Sequence, residues 1–157
     1  MENGRTLTRQ PEANNARAEI LWASSLSHKG LTGCGNGKGD WSVHQLGHVL
    51  SGLYDIAHGA ALTAMWGSWA RFVYKQDPAR FARTGVEVLD IPEEDNDEAP
   101  ALAAIEELEC FFWGLELPTS IAEMELDLSV DDLLDMAVRC SRGGSRTIGT
   151  FLELRVR

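Results

Sequence analysis

Apolar residues recur along most of this chain at helical rather than alternating spacing. From Glu12 to Lys29 the stripe is Ala16, Ile20, Ala23 and Leu26, joined by Leu21 and Trp22, and Gly30 ends it. Leu46, Val49, Leu50 and Leu53 mark a second helix, for which Asp40 is the expected N-cap. From His58 to Gln76 small residues come first and aromatic ones later, so that a neighbouring helix can approach closely and Trp66, Trp69 and Phe72 fall in the core. Asp77 and Pro78 open a further helix as N-cap and first helical residue, carrying Phe81, Val86 and Leu89. Leu102, Ile105, Leu108 and Phe112, set against Glu106, Glu107 and Glu109, describe an amphipathic helix from Pro100 to Trp113 that Gly114 closes. Leu117-Pro118-Thr119-Ser120 breaks the chain before a short turn at Ile121 to Met124. Ser129 and Asp132 then form a capping box for a helix over Asp131 to Cys140. No strand pattern exceeds about five residues. The expected fold class is therefore all-α, a helical bundle.

The polar segments complete this outline. Residues 1–10 read as a disordered tail, and Pro11 suits the first turn of the helix that follows. Gly33, Gly35, Gly37 and Gly39 form an alternating run with no strand before it, which reads as a flexible loop, either a cover for a pocket or a plain connector. Asp90, Glu93, Glu94, Asp95, Asp97 and Glu98 crowd a stretch broken by Pro92 and Pro100. They lack the spacing and glycine of a calcium loop and read as solvated. Arg142 and Arg146, in the glycine-rich loop from Ser141 to Gly149, are open to two readings, a phosphate contact or surface charge.

Composition narrows the function. A chain of 157 residues, 44% hydrophobic with five Trp, is of one-domain size and can bury a sizeable core. Its formal charge of −10 argues against nucleic acid or an anionic membrane surface as partner. Cys34, Cys110 and Cys140 are odd in number and far apart, which disfavours a disulfide framework or thiolate zinc site and points to a reducing cytoplasm. The N-terminus has no apolar signal region and no apolar run reaches ~18 residues, so neither secretion nor a membrane span is expected.

Three of the four histidines lie in one stretch, and there the chemistry concentrates. His44 and His48 stand one helical turn apart on the same face. His58 follows ten residues after His48; on a straight helix it would lie roughly 21 Å from His44, too far to share an ion. The chain must turn between Gly52 and Asp55 if the two are to meet, with Asp55 a candidate cap for the next helix. Gln45 stands where a zinc protease has its glutamate base, which sets that reading aside. His28 is either a stray ligand or an ordinary residue in a helix's last turn.

The block from Gly39 to Leu62, containing Trp41-Ser42-Val43-His44-Gln45-Leu46-Gly47-His48 and His58-Gly59-Ala60-Ala61, strongly resembles the signature of the iron-containing (group III) alcohol dehydrogenases, in particular their butanol dehydrogenase branch. The likeness continues upstream through Ala16 to Ser24 and, more loosely, downstream to about Phe151. It implies the C-terminal all-helical domain of enzymes that also possess an N-terminal α/β domain for NAD(P). It implies a divalent metal, Fe²⁺ or Zn²⁺, with His44 and His58 as ligands, and His48 as the catalytic residue beside the metal that positions substrate or relays a proton. Residues of the His58–Gln76 segment would have a minor part in lining the substrate pocket.

Two departures from that pattern matter. The family's other two ligands, an Asp and a His four residues apart, are missing: His28 is the sole upstream histidine and Ser24 precedes it by four. The glycine-rich pyrophosphate-binding stretch is missing too, and Phe151 to Arg157 stops where family members continue into another helix. Residues 11–157 therefore read as a partial helical metal-binding domain without its nucleotide-binding domain, cut at both ends. Expected for the whole enzyme is oxidation of a small alcohol or reduction of an aldehyde; for these residues alone, little or no turnover. The competing reading is a non-catalytic helical remnant that acts as an association module, as a homo-oligomer or with a separate nucleotide-binding chain.

Overall fold

A computed structural model describes residues 1–35 and 39–155. Gly37 of the glycine run and the last two residues of the Phe151–Arg157 stretch lie outside them. Among the described residues there are seven α-helices, three short 3-10 turns and no strand, with one isolated bridge between Ile148 and Leu154. The all-α expectation holds. No helix among the described residues is long and apolar enough to cross a membrane.

The chain divides into two compact units, Met1–Gly39 and Asp40–Arg157. The first holds α1 (Glu2–Arg9), α2 (Asn14–His28) and a 3-10 turn at Leu31–Gly33. The expected disordered tail thus contains a helix. Its ends explain how: Glu2 stands in the first turn and Arg9 in the last, each complementing the helix dipole. Gln10 N–H caps the end on Thr6 C=O. Pro11 sits in the turn before α2, where the Arg17 guanidinium donates to its carbonyl. Gly30, at φ 78°, takes the left-handed position just past α2, as a helix-ending glycine should. Of the predicted stripe only Ala16 is buried; Leu21 and Trp22 are exposed.

The second unit is built around α4 (His58–Val73). Against it pack α3 (Ser42–Tyr54) on one side and α6 (Glu98–Trp113) on the other; α5 (Pro78–Leu89) packs on α6 and α7 (Val130–Cys140) on α3. Two apolar clusters share the central helix. Ala70, Val73 and Tyr74 join Phe81, Ala82, Ala101 and Ile105 in one, and Leu50, Ala61, Met65 and Met136 form the other. Close approaches are made at small residues. A Cβ on Gly85 would stand 3.0 Å from that of Ala104, and one on Gly67 would collide with the Glu109 carboxylate. Glu109, which helical periodicity puts on the solvent face, instead reaches α4, where Arg71 Nη1 donates to it at 2.6 Å. Phe72, expected in the core, is 63% exposed.

The helix ends mostly follow local rules. Asp77 accepts from Arg80 N–H with Pro78 at the first helical position, and the Ser129–Asp132 capping box is complete. The acidic stretch stays exposed up to Glu98, where Asn96 Oδ1 accepts the first N–H of α6 at 3.0 Å.

Candidate metal centre

The site is made where α3 ends and α4 begins. Gly52 stays within α3; the turn falls at Asp55, whose φ of 53° is left-handed. Asp55 closes α3 rather than capping α4, whose N-cap position belongs to Ala57. An aspartate tolerates this conformation because its short polar side chain carries little steric penalty there. The chain reverses within three residues, and His58 begins the returning helix.

How near His58 comes to α3 depends on Gly47. This glycine is buried between the two α3 histidines, and a Cβ on it would stand 3.0 Å from Leu62 Cδ2 and 3.7 Å from Ala61 Cβ. With hydrogen there instead, the helices close up and the three imidazoles converge. Ring centroids lie 4.6 Å apart for His44–His48, 4.6 Å for His44–His58 and 4.8 Å for His48–His58. One ring nitrogen from each lies within 4.8 Å of the others. The closest pair is His58 Nε2 and His44 Nδ1, 3.4 Å apart. The Trp41 ring stands edge-on to His44 at 5.2 Å. His44 and His58 are half-buried and His48 is exposed. His28, by contrast, belongs to the first unit and ends α2.

Two long-range clamps fix the start of α3. Asp40, expected as its N-cap, sits one residue before the cap position held by Trp41. Its Oδ1 accepts from Ser42 N–H at 2.8 Å, while Oδ2 accepts from the N–H groups of Thr150 and Phe151 at 2.6 and 3.0 Å. Burial pushes the Asp40 carboxyl up, but these hydrogen bonds outweigh it and leave the group below its ordinary value. The second clamp is Arg146, whose Nη2 donates to Gln45 Oε1 at 2.9 Å. Arg146 is therefore half-buried against α3 and not a free surface charge. Sequence reading missed both clamps because their partners lie 101 to 111 residues apart, beyond any local pattern.

Such a cluster of imidazoles suits a divalent cation, which takes neutral ring nitrogens as ligands. On a tetrahedral ion with bonds of about 2.0–2.1 Å, two ligand nitrogens stand roughly 3.3 Å apart. The His44–His58 pair already has nearly that separation, so these two donors fit such an ion.

Comparison with known proteins returns a family for this all-helical chain. Residues 1–147 match the sequence profile described as Fe-containing alcohol dehydrogenase family, C-terminal. The chain belongs to that family. It is 30% identical over 156 residues to the probable NADH-dependent butanol dehydrogenase 1 of Bacillus subtilis, covering 98% of this chain and 39% of that protein. It is 30% identical over 149 residues to NADH-dependent butanol dehydrogenase A of Clostridium acetobutylicum, covering 94% of this chain and 38% of that one. The crystal structure of NADH-dependent butanol dehydrogenase A from Thermotoga maritima superposes with a TM-score of 0.84 at 26% identity, over 94% of this chain and 38% of that one. The chain thus spans about two fifths of the length of these relatives.

Proposed function

We propose that this chain is the metal-binding helical portion of an NAD(P)-dependent alcohol and aldehyde oxidoreductase. The observation that carries the reading is the convergence of His44 and His58, fourteen residues apart, to a nitrogen separation of 3.4 Å. These two histidines would hold Fe²⁺ or Zn²⁺ as neutral imidazoles. Once bound, such an ion acts as a Lewis acid on an alcohol or carbonyl oxygen. His48 is the exposed member of the cluster, and in this reading it would face substrate and exchange a proton with its hydroxyl. Trp41, edge-on to His44, limits how far that ring can turn. Asp40 and Arg146 hold α3 in register with the C-terminal loop, so the histidines are preorganised.

Hydride transfer needs NAD(P), and the glycine run from Gly33 to Gly39 follows a helix and not a strand, so we assign nucleotide binding to a domain other than these residues. Two ligands also fall short of the three protein ligands usual in a catalytic zinc site. We therefore expect the purified 157 residues to turn over a short-chain aldehyde with NADH or NADPH negligibly, and sustained metal-dependent turnover would overturn this assignment. Because the ligands must be neutral imidazoles, acidification should release the metal. Free cysteines, two of them exposed, suit a reducing cytoplasm, where we place the protein.

One observation favours the second reading, an association module. A groove of about 530 Å³ between α3, α4 and α7 is lined by Leu46, Met65, Trp69, Phe72, Leu133 and Met136. Phe72 is 63% and Leu133 44% exposed. An apolar surface of this kind favours self-association. A chain mass near 17.3 kDa in solution argues against it, and twice that mass supports a homodimer.

A further inference from the structure

Beside the histidine cluster lies a pocket of about 260 Å³ whose wall is basic in a chain of net charge −10. It is lined by His44, Gln45, His48 and Val49 from α3, by Arg139 and Cys140 from the end of α7, and by Arg142 and Arg146 from the loop beyond. No carboxylate lines it. Among the described residues, the one acid that pairs with its basic residues is Asp135, which accepts from Arg139 Nε at 2.6 Å. Arg142 forms no ion pair among the described residues. Arg146 uses Nη2 on Gln45, but its Nε is buried and without a hydrogen-bond partner. A buried guanidinium N–H left unsatisfied is costly. Cys140 supplies no negative charge: burial pushes its thiol up, and Arg146 offsets this in part.

The arginines stand on a defined turn. Arg142, at φ 52°, follows α7 with Gly143 and Gly144 also left-handed. Gly143 N–H donates to Val138 C=O at 2.8 Å, and Arg146 N–H to Ser141 C=O at 2.9 Å. Planar guanidinium groups match the two oxygens of a carboxylate or phosphate. Sites for drug-sized ligands run from roughly 300 Å³ upward, so at about 260 Å³ this pocket suits a small molecule.

We infer that this pocket is an oxyanion subsite: Arg142 and Arg146 bind the carboxylate or phosphate of a small substrate and hold its reacting carbon toward His44 and His48. The word substrate rests on the oxidoreductase reading; the anion site itself does not.

The test is titration of the purified full chain, with a chelator present, by inorganic phosphate and separately by acetate. The arginine Nε–H and histidine ring signals are followed by NMR. The expected result is saturable binding that shifts the Arg146 and His48 signals, with affinity reduced roughly tenfold or more in Arg142→Ala, as for loss of a charge-assisted hydrogen bond. Arg142 is exposed, and an unchanged far-UV circular dichroism spectrum would establish that the variant is folded. Arg146→Lys, which keeps charge but loses the fork, should also weaken binding. The tighter of the two anions identifies the group carried by the substrate. Absence of saturable binding by either anion, or equal binding by wild type and Arg142→Ala, overturns the proposal. Zn²⁺ binding measured without chelator on the same samples separates the two readings. Anion binding without metal binding leaves the subsite and removes the metal centre; the reverse removes the subsite alone.

Discussion

Gly47 controls whether the histidines meet, because its missing side chain is the space into which Ala61 and Leu62 pack. Gly47→Val should destabilise the fold by about 1–3 kcal/mol, as overpacking does, and should weaken Zn²⁺ binding even where the protein remains folded. Denaturant melts and a metal titration check the two effects, and unchanged metal affinity would mean that α3 and α4 need not approach so closely. Asp40 is the other residue on which the site hangs. Its folded-state pKa lies below the ordinary 3.8, so its stabilising contribution is full above that pH and is lost as pH falls through the lowered value. Asp40→Ala should cost about 1–3 kcal/mol near neutral pH, through unpaired N–H groups at Ser42, Thr150 and Phe151. The difference from wild type should shrink in acid. A gap that stays constant down to pH 3 would assign the loss to packing rather than to the carboxylate.

Among the elements, α5 and α7 were legible because their ends obey local chemistry. Asp77-Pro78 and Ser129-x-x-Asp132 each carry their own start signal. Asp77→Ala should therefore cost about 0.5–2 kcal/mol, a value that thermal melts can resolve. Failure to destabilise would mean that Pro78 alone sets the start of α5. The corner between α3 and α4 was half legible: two histidine positions at helical spacing and a third too distant on a straight rod required a turn. The turn falls within the expected Gly52–Asp55 span, at its far end; what the sequence did not tell is that Asp55 would take the left-handed position and close α3 rather than cap α4. Glu109 and Phe72 were misplaced for a related reason. Periodicity tells which face a residue occupies, but not which neighbour covers that face, and Gly67 makes room on α4 for the Glu109 carboxylate.

For the molecule as a whole, the two units differ in how much they bury. Among the described residues of the first, Ala16 alone is buried, whereas α4 contributes seven buried residues to the second. Amides of α1 and α2 should exchange with solvent at least about tenfold faster than those of α4 and α6. Equal protection measured by hydrogen exchange would show that the first unit draws stability from contacts its own residues do not supply. The acidity of the chain gives a net field that repels anions, and the pocket beside the histidines is a local exception built from residues of α7 and the following loop. The account as a whole turns on the histidine corner being a metal site. The direct measurement is the zinc and iron stoichiometry and affinity of the purified chain, beside His44→Ala and His58→Ala. Near-stoichiometric binding that is lost in both variants is the predicted result. Binding no tighter than micromolar in the wild-type chain, or binding unaffected by either substitution, would contradict it.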